Sequence, residues 1–269
     1  MNKISAFSRR NFKEIIRDPL SYIFCLGFPL IMLVVMTVIN NGIEQSAKSA
    51  IESLPPGAAA SETMTIFRID NLAGGIAVFG LTFVMLFCTL TLAKDRSGAL
   101  LVRLYATPMR SGDFILGYTL PTFLLAVLQI IVTFAASFVV SLIVDIKLNV
   151  FGLLISLLSL LPTVIMMIMF GLLFGTLFSD KAAPGLCSIV ISLASFFGGV
   201  WFDAESLGGV MLKICEVLPF YHGVKAARLA CALDFTDWTS HFMITLAYAV
   251  VVTAAAIITF NQKMRADLQ

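Results

Sequence analysis

Six long runs without Asp, Glu, Lys or Arg alternate with shorter polar segments along this 269-residue chain. They cover residues 19–43, 71–93, 114–144, 148–179, 182–202 and 238–262. Each is long enough to cross a hydrocarbon core of about 30 Å as a helix of about 20 residues. Strands of a barrel would be about half that length and would alternate apolar with polar positions, which these runs do not. The pattern therefore predicts an all-α integral membrane protein. Its six transmembrane helices fall at 20–40, 72–93, 114–144, 148–179, 182–202 and 239–261, within a single transmembrane domain spanning 1–269.

The segments between the runs have their own periodicity. In residues 1–18, Ile4, Phe7, Phe12, Ile15 and Ile16 fall on one side of a helix and Arg9, Arg10, Lys13 and Arg17 on the other, an amphipathic helix that ends where Pro19 opens the first span. Pro29 predicts a kink in that span, and Pro121 and Pro162 predict bends in the third and fourth. The loop over 41–71 carries Pro55-Pro56-Gly57, with a short helix expected over Ile43–Leu54. Residues 95–110 form a second cationic amphipathic segment. Arg96, Arg103 and Arg110 share one side of a helix, Leu101, Val102, Leu104, Tyr105 and Met109 share the other, and Thr107-Pro108 ends or bends it. Asp145 and Lys147 lie in the short link that makes the third and fourth spans an antiparallel hairpin. Residues 203–237 hold two apolar pieces, Leu207–Leu212 and Val217–Val224, too short to span. With breaks at Gly198-Gly199, Gly208-Gly209 and Pro219 they read as a re-entrant or interfacial hairpin.

Composition removes the soluble alternative: 59% of residues are hydrophobic, 13% are charged and the mean hydropathy is +0.97. The net charge of +2 says little, but the placement of Lys and Arg says more. With both termini cytoplasmic, twelve of the eighteen Lys and Arg lie inside and ten of the sixteen carboxylates outside. That orientation in a cell inner (plasma) membrane is the expectation, and no signal peptide is evident. Cys25, Cys88 and Cys187 lie in predicted spans, and the odd count of five argues for free thiols.

Small residues mark helix contacts. Gly171 and Gly175 form a G-x-x-x-G, and Gly185, Ser188, Ser192, Ser195 and Gly199 recur along one face of the fifth span. Packing within one bundle, a subunit interface and a substrate pathway all remain open for that face. The spans carry no ionisable residue at mid-membrane, which disfavours coupling to an ion gradient. His222 and His241 show no H-E-x-x-H spacing, and no G-x-x-x-x-G-K-[ST] is present to cradle a phosphate. Energy for active transport must then enter through another polypeptide.

The run from Lys94 to Pro108, followed by Asp113-Phe114-Ile115-Leu116-Gly117, resembles the cytoplasmic stretch of the ABC-2 type exporter permeases. Arg17-Asp18-Pro19 is similar to that family's junction of connecting helix and first span, and the segment from Leu218 to Arg228 to its outer hairpin. Asp95, flanked by Lys94 and Arg96, stands where the family usually has Glu. The resemblance implies six spans, a connecting helix over 1–18 with Lys13, Arg17 and Asp18, and a coupling helix at 95–110. Gly98, Leu100, Leu101, Arg103, Leu104, Tyr105, Thr107 and Pro108 would engage an ATP-binding-cassette ATPase there. It also implies an outer hairpin containing Pro219, His222 and Arg228, and pairing with a second permease subunit, identical or paralogous. ATP and Mg would sit on the partner, with no cofactor, metal or nucleic acid bound by this chain and no catalysis of its own. Cargo would be hydrophobic or amphipathic: a drug, antibiotic, lipid or lipopeptide. The rival readings are a passive channel, for which the spans offer only scattered Thr, Ser, Gln129 and Asn149, and a membrane-embedded enzyme using Asp203, Glu205, Glu216, His222 or Arg228.

Overall fold

The computed structural model describes residues 3–52, 68–98, 100–101, 109–202 and 204–266. Among them every regular element is helical. Helix α1 (Lys3–Arg17) precedes α2 (Pro19–Tyr22), a π-helical turn (Ile23–Gly27) and α3 (Phe28–Glu52). Then come α4 (Ile69–Ser97), α5 (Ser111–Val144), α6 (Val150–Ser159) and α7 (Leu161–Leu177). Next are α8 (Ala183–Phe197), the single turn α9 (Ala204–Leu207), α10 (Gly209–Val217), α11 (Pro219–Ala232) and α12 (Trp238–Ala266).

Local chemistry explains the breaks. Asp18 caps α2, its Oδ1 accepting the Leu20 N–H at 3.1 Å, and Pro19 occupies the first turn, where no N–H is needed. Pro29 lacks the N–H that would close a normal turn. The helix accommodates this just before Pro29, where Phe28 N–H reaches back to Ile23 C=O in a π turn. Helix α5 instead runs unbroken through Pro121. At Pro162 the chain bends by 41° between α6 and α7. The helix expected over Ile43–Leu54 is the continuation of α3 to Glu52.

The count of six spans meets a more varied set of helices. Four stretches, Pro19–Ser46, Ile69–Ser97, Ser111–Val144 and Trp238–Met264, are long and apolar enough to cross a membrane, and the bent α6–α7 pair makes up to five. The fifth run yields only the 15-residue α8. At 1.5 Å per residue that is about 22 Å, short of the hydrocarbon core. The chain leaves the helix at Gly198-Gly199, where Gly199 takes a left-handed φ of +67°.

Helix α4 is the central post, packed by α3, α5, α7, α8 and α11, while α12 lies on α7 and α11. The G-x-x-x-G of α7 faces it. A Cβ at Gly171 would lie 2.7 Å from the Met85 carbonyl oxygen, and one at Gly175 2.8 Å from that of Thr89. The motif therefore serves packing inside this chain. Helix α11 is embedded in the same way: Ser156 Oγ donates to Ala227 C=O at 2.9 Å, and Gly74 of α4 fits closely against Ala227. Outward, the bundle presents Leu142, Ile143, Val210 and Val251 at high exposure, an apolar surface suited to lipid.

Candidate functional site

At one end of the bundle, α1 lies across the start of α5 and the last turn of α4. The amphipathic pattern of α1 explains how it sits: Phe7 is buried and meets Phe114 and Tyr118 edge-on, with ring centroids 5.7 and 5.1 Å apart. The crossing is close because Gly117 has no side chain; a Cβ there would run into the Phe7 ring. Asn11, also buried, donates its Nδ2–H to the Gly117 carbonyl at 2.9 Å. The glycine near the start of the third apolar run is thus the seat on which α1 rests.

Beside this seat is a charged clamp. Among the described residues, Asp95 is the only Asp, Glu, Lys or Arg that is buried, at 5% exposure. Arg10 grips it with both Nη atoms, Nη2 to Oδ1 at 2.7 Å and Nη1 to Oδ2 closer still. Tyr118 OH donates to Oδ2 at 2.8 Å. Arg10 also pairs with Glu14 at 3.0 Å, and Glu14 accepts Lys94 at 3.4 Å. The hydrogen bond to Asp95 above all, with the charges of Asp95 and Glu14, raises the Arg10 pKa above its ordinary value. A buried carboxylate is costly unless paired and hydrogen-bonded, and here two other helices, α1 and α5, supply the partners. The clamp joins α1, the end of α4 and the start of α5 into one body.

The residues expected to form a cytoplasmic helix divide in the structure. Helix α4 continues to Ser97, so Asp95 and Arg96 close that helix rather than opening the next. Arg96, half-buried, turns to this chain: its Nη1–H donates to Gly175 C=O at 3.3 Å, in the last turn of α7, where carbonyl dipoles favour a cation. Gly98 caps α4, its N–H reaching Lys94 C=O at 2.9 Å. Leu100 is half-buried, and Leu101 is fully buried in a cluster with Phe7, Leu92, Phe114 and Phe260. The apolar side chain of Leu101, expected at an ATPase contact, is covered by this chain. Arg103, Leu104, Tyr105, Thr107 and Pro108 lie outside the described residues. Arg110 is exposed and precedes α5, whose Asp113 carboxylate accepts the Arg110 N–H at 2.9 Å. Lys13 and Arg17 are exposed on α1.

The clamp itself escapes sequence reasoning. Its partners Arg10 and Asp95 are 85 positions apart, and Tyr118 sits in an apolar run. A visible signal is Asn11, a polar residue beside Phe7 and Ile15 on the apolar side of α1.

The opposite end of the bundle holds the remaining expected residues. Pro219 opens α11. His222, buried, meets His241 of α12 with Nδ1 atoms 2.7 Å apart, while its Nε2 lies 2.8 Å from Glu216 C=O. A carbonyl only accepts, so Nε2 carries the hydrogen and, in the neutral pair, His241 Nδ1–H donates to His222 Nδ1. Arg228 Nε–H donates to Asn71 C=O at 2.9 Å, tying α11 to α4. Glu205 accepts Tyr221 OH at 3.1 Å and Lys225 at 2.6 Å. On α8, Gly185, Ser188 and Ser192 are exposed while Ser195, and Gly199 just beyond the helix, are buried. The serine hydroxyls donate to carbonyls four residues back, Ser188 to Pro184, Ser192 to Ser188 and Ser195 to Ile191, which leaves a smooth face.

Residues 2–231 match the family model described as ABC-2 type transporter. Among curated proteins, none matches the chain.

Proposed function

The chain belongs to the ABC-2 type transporter family, and from that premise we propose that it is the permease subunit of an exporter driven by ATP hydrolysis on a separate cassette subunit. The family makes it a membrane transport subunit with an ATP-binding-cassette partner. The observation that carries the finer reading is the Arg10–Asp95–Tyr118 clamp. It lies at the root of the 98–110 segment, so a force applied to that segment passes at once into α1, α4 and α5. In this reading Leu104 and Tyr105 meet the ATPase, Gly98 gives the segment its turn out of α4, and Arg103, Thr107 and Pro108 shape the segment beyond it. Lys13 and Arg17 on α1 brace the same cytoplasmic surface.

The remaining family features are proposed on the same footing. The α8 run counts as a fifth short span and α12 as a sixth, with α10 and α11 the re-entrant hairpin on the outer side. The exposed Gly185–Ser188–Ser192 face is offered to a second permease subunit. Closure of two ATPases on nucleotide would draw the clamped bodies together and open a path between the subunits for a hydrophobic or amphipathic cargo. Co-purification from membranes tests the reading. The wild-type chain should bring down its cassette ATPase and should hydrolyse no ATP alone. Leu104→Glu and Tyr105→Glu should stay in the membrane and lose the ATPase; retention of the ATPase by both would refute the coupling assignment.

A further inference from the structure

Where α1 crosses α5, one flank of the crossing is an open groove that no part of the described chain fills. Its walls are Phe12 from α1 and Leu120 and Leu124 from α5, all exposed, and its mouth carries Arg9 with the hydroxyls of Ser5 and Ser8. We infer that this groove binds an anionic phospholipid, with the phosphate at Arg9 and an acyl chain along α5.

Three observations select that occupant. First, the apolar wall does not stop at the groove: Leu120, Leu124, Leu128 and Ile131 are all exposed in one stripe. At 1.5 Å per residue the stripe covers about 16 Å, roughly one leaflet of a hydrocarbon core of about 30 Å. An acyl chain can follow that path into the membrane, whereas a soluble protein cannot. Second, the polar end is cationic and uncompensated. Glu14 is occupied by Arg10 and Lys94, and Asp18 caps α2, while Arg9, the one charged side chain lining the groove, takes part in no ion pair among the described residues. Third, the Phe7–Gly117 contact and the Asn11 hydrogen bond hold α1 across the start of α5, which keeps Arg9 at the head of the apolar stripe. Serine hydroxyls beside an arginine suit a phosphate diester, giving both charge and hydrogen bonds. A lipid held here would fill the crossing that positions the Arg10–Asp95 clamp, yet the inference does not depend on any ATPase.

Native mass spectrometry of the delipidated chain, titrated with equal amounts of phosphatidylglycerol and phosphatidylcholine, tests it. The wild type should retain phosphatidylglycerol about fivefold better, the weight of one arginine at an anionic surface. Arg9→Gln should abolish the preference, and Leu124→Trp, which fills the groove without touching the charge, should weaken retention of both lipids. Glycerophosphoglycerol, the headgroup diester without chains, should not bind. Equal retention of the two lipids by the wild type overturns the inference, as does an unchanged preference in Arg9→Gln, unchanged retention in Leu124→Trp, or binding of glycerophosphoglycerol as tight as that of the lipid. If Arg9→Gln keeps its lipid but loses the cassette ATPase, the patch is a protein-docking face and the lipid assignment is wrong.

Discussion

Asp95 and Arg10 are unequal members of one pair. The carboxylate is buried at 5% exposure whereas the guanidinium side chain is 39% exposed, so removing each partner leaves a different orphan. Arg10→Met strands a buried charge with Tyr118 as its remaining clamp partner and should cost about 3–5 kcal/mol. Asp95→Asn leaves Arg10 free to turn to water and should cost only about 1–3 kcal/mol. Denaturation of the purified chain in detergent measures both, and equal losses would show that Asp95 is better solvated than its burial implies. The double variant should be milder than the sum of the two singles, as expected for groups in direct contact. Because Asp95 raises the Arg10 pKa, Arg10's contribution is held through neutral and mildly alkaline pH and is lost only as pH rises past the ordinary arginine range. Neutral and mildly alkaline buffers should therefore leave that contribution unchanged. The histidine pair makes a parallel case at the other end: His241→Phe removes the partner of a buried His222 Nδ1 and should lower stability by about 1–3 kcal/mol, read from the same melts. Some of these residues were legible in the sequence and some were not. Asp18-Pro19 announces a helix start through chemistry confined to adjacent positions. The clamp depends on groups brought together only by tertiary packing, and a lone Asp between Lys94 and Arg96 looks like a charge in water until α1 is laid over it.

The two small-residue motifs look alike as sequence patterns but behave differently as elements. Gly171 and Gly175 press α7 against the α4 backbone, while Gly185 on α8 has nothing within 4 Å of where a Cβ would be. Gly171→Ala should therefore force the helices apart and cost about 1–3 kcal/mol. Gly185→Ala should leave the melting of the isolated chain unchanged, and any effect it has should appear in subunit association instead. If Gly171→Ala melts like the wild type, the α4–α7 contact is looser than its geometry indicates. Spacing alone could not separate the motifs, because a three-residue interval puts small groups on one face without saying what that face meets. Helix ends show the same boundary between what is local and what is not. The bend at Pro162 follows from a missing N–H and was readable. The break at Gly198-Gly199 was readable too, but not its consequence for the predicted 182–202 span: the apolar run continues past the glycines, and the left-handed φ of +67° at Gly199 leaves α8 only 15 residues long.

Across the whole molecule, membrane residence is the most legible property because it is written in composition over long stretches. The exposed apolar side chains of α5, α6 and α12 agree with it, and the chain should stay with the membrane pellet through an alkaline carbonate wash. The route of force is less legible, because it runs through contacts between distant segments. The Arg10–Asp95–Tyr118 clamp converts α1, the end of α4 and the start of α5 into one rigid unit next to the segment proposed to meet the ATPase. Hydrogen exchange on the complex of this chain with its cassette ATPase, with and without a non-hydrolysable ATP analogue, tests that claim most directly. Amide protection in residues 3–17, 94–98 and 111–118 should change together on nucleotide binding, and Asp95→Asn should separate residues 94–98 from the other two, which Phe7 and Asn11 still join. A nucleotide response confined to the 98–110 segment, with α1 unmoved in the wild type, would contradict the account.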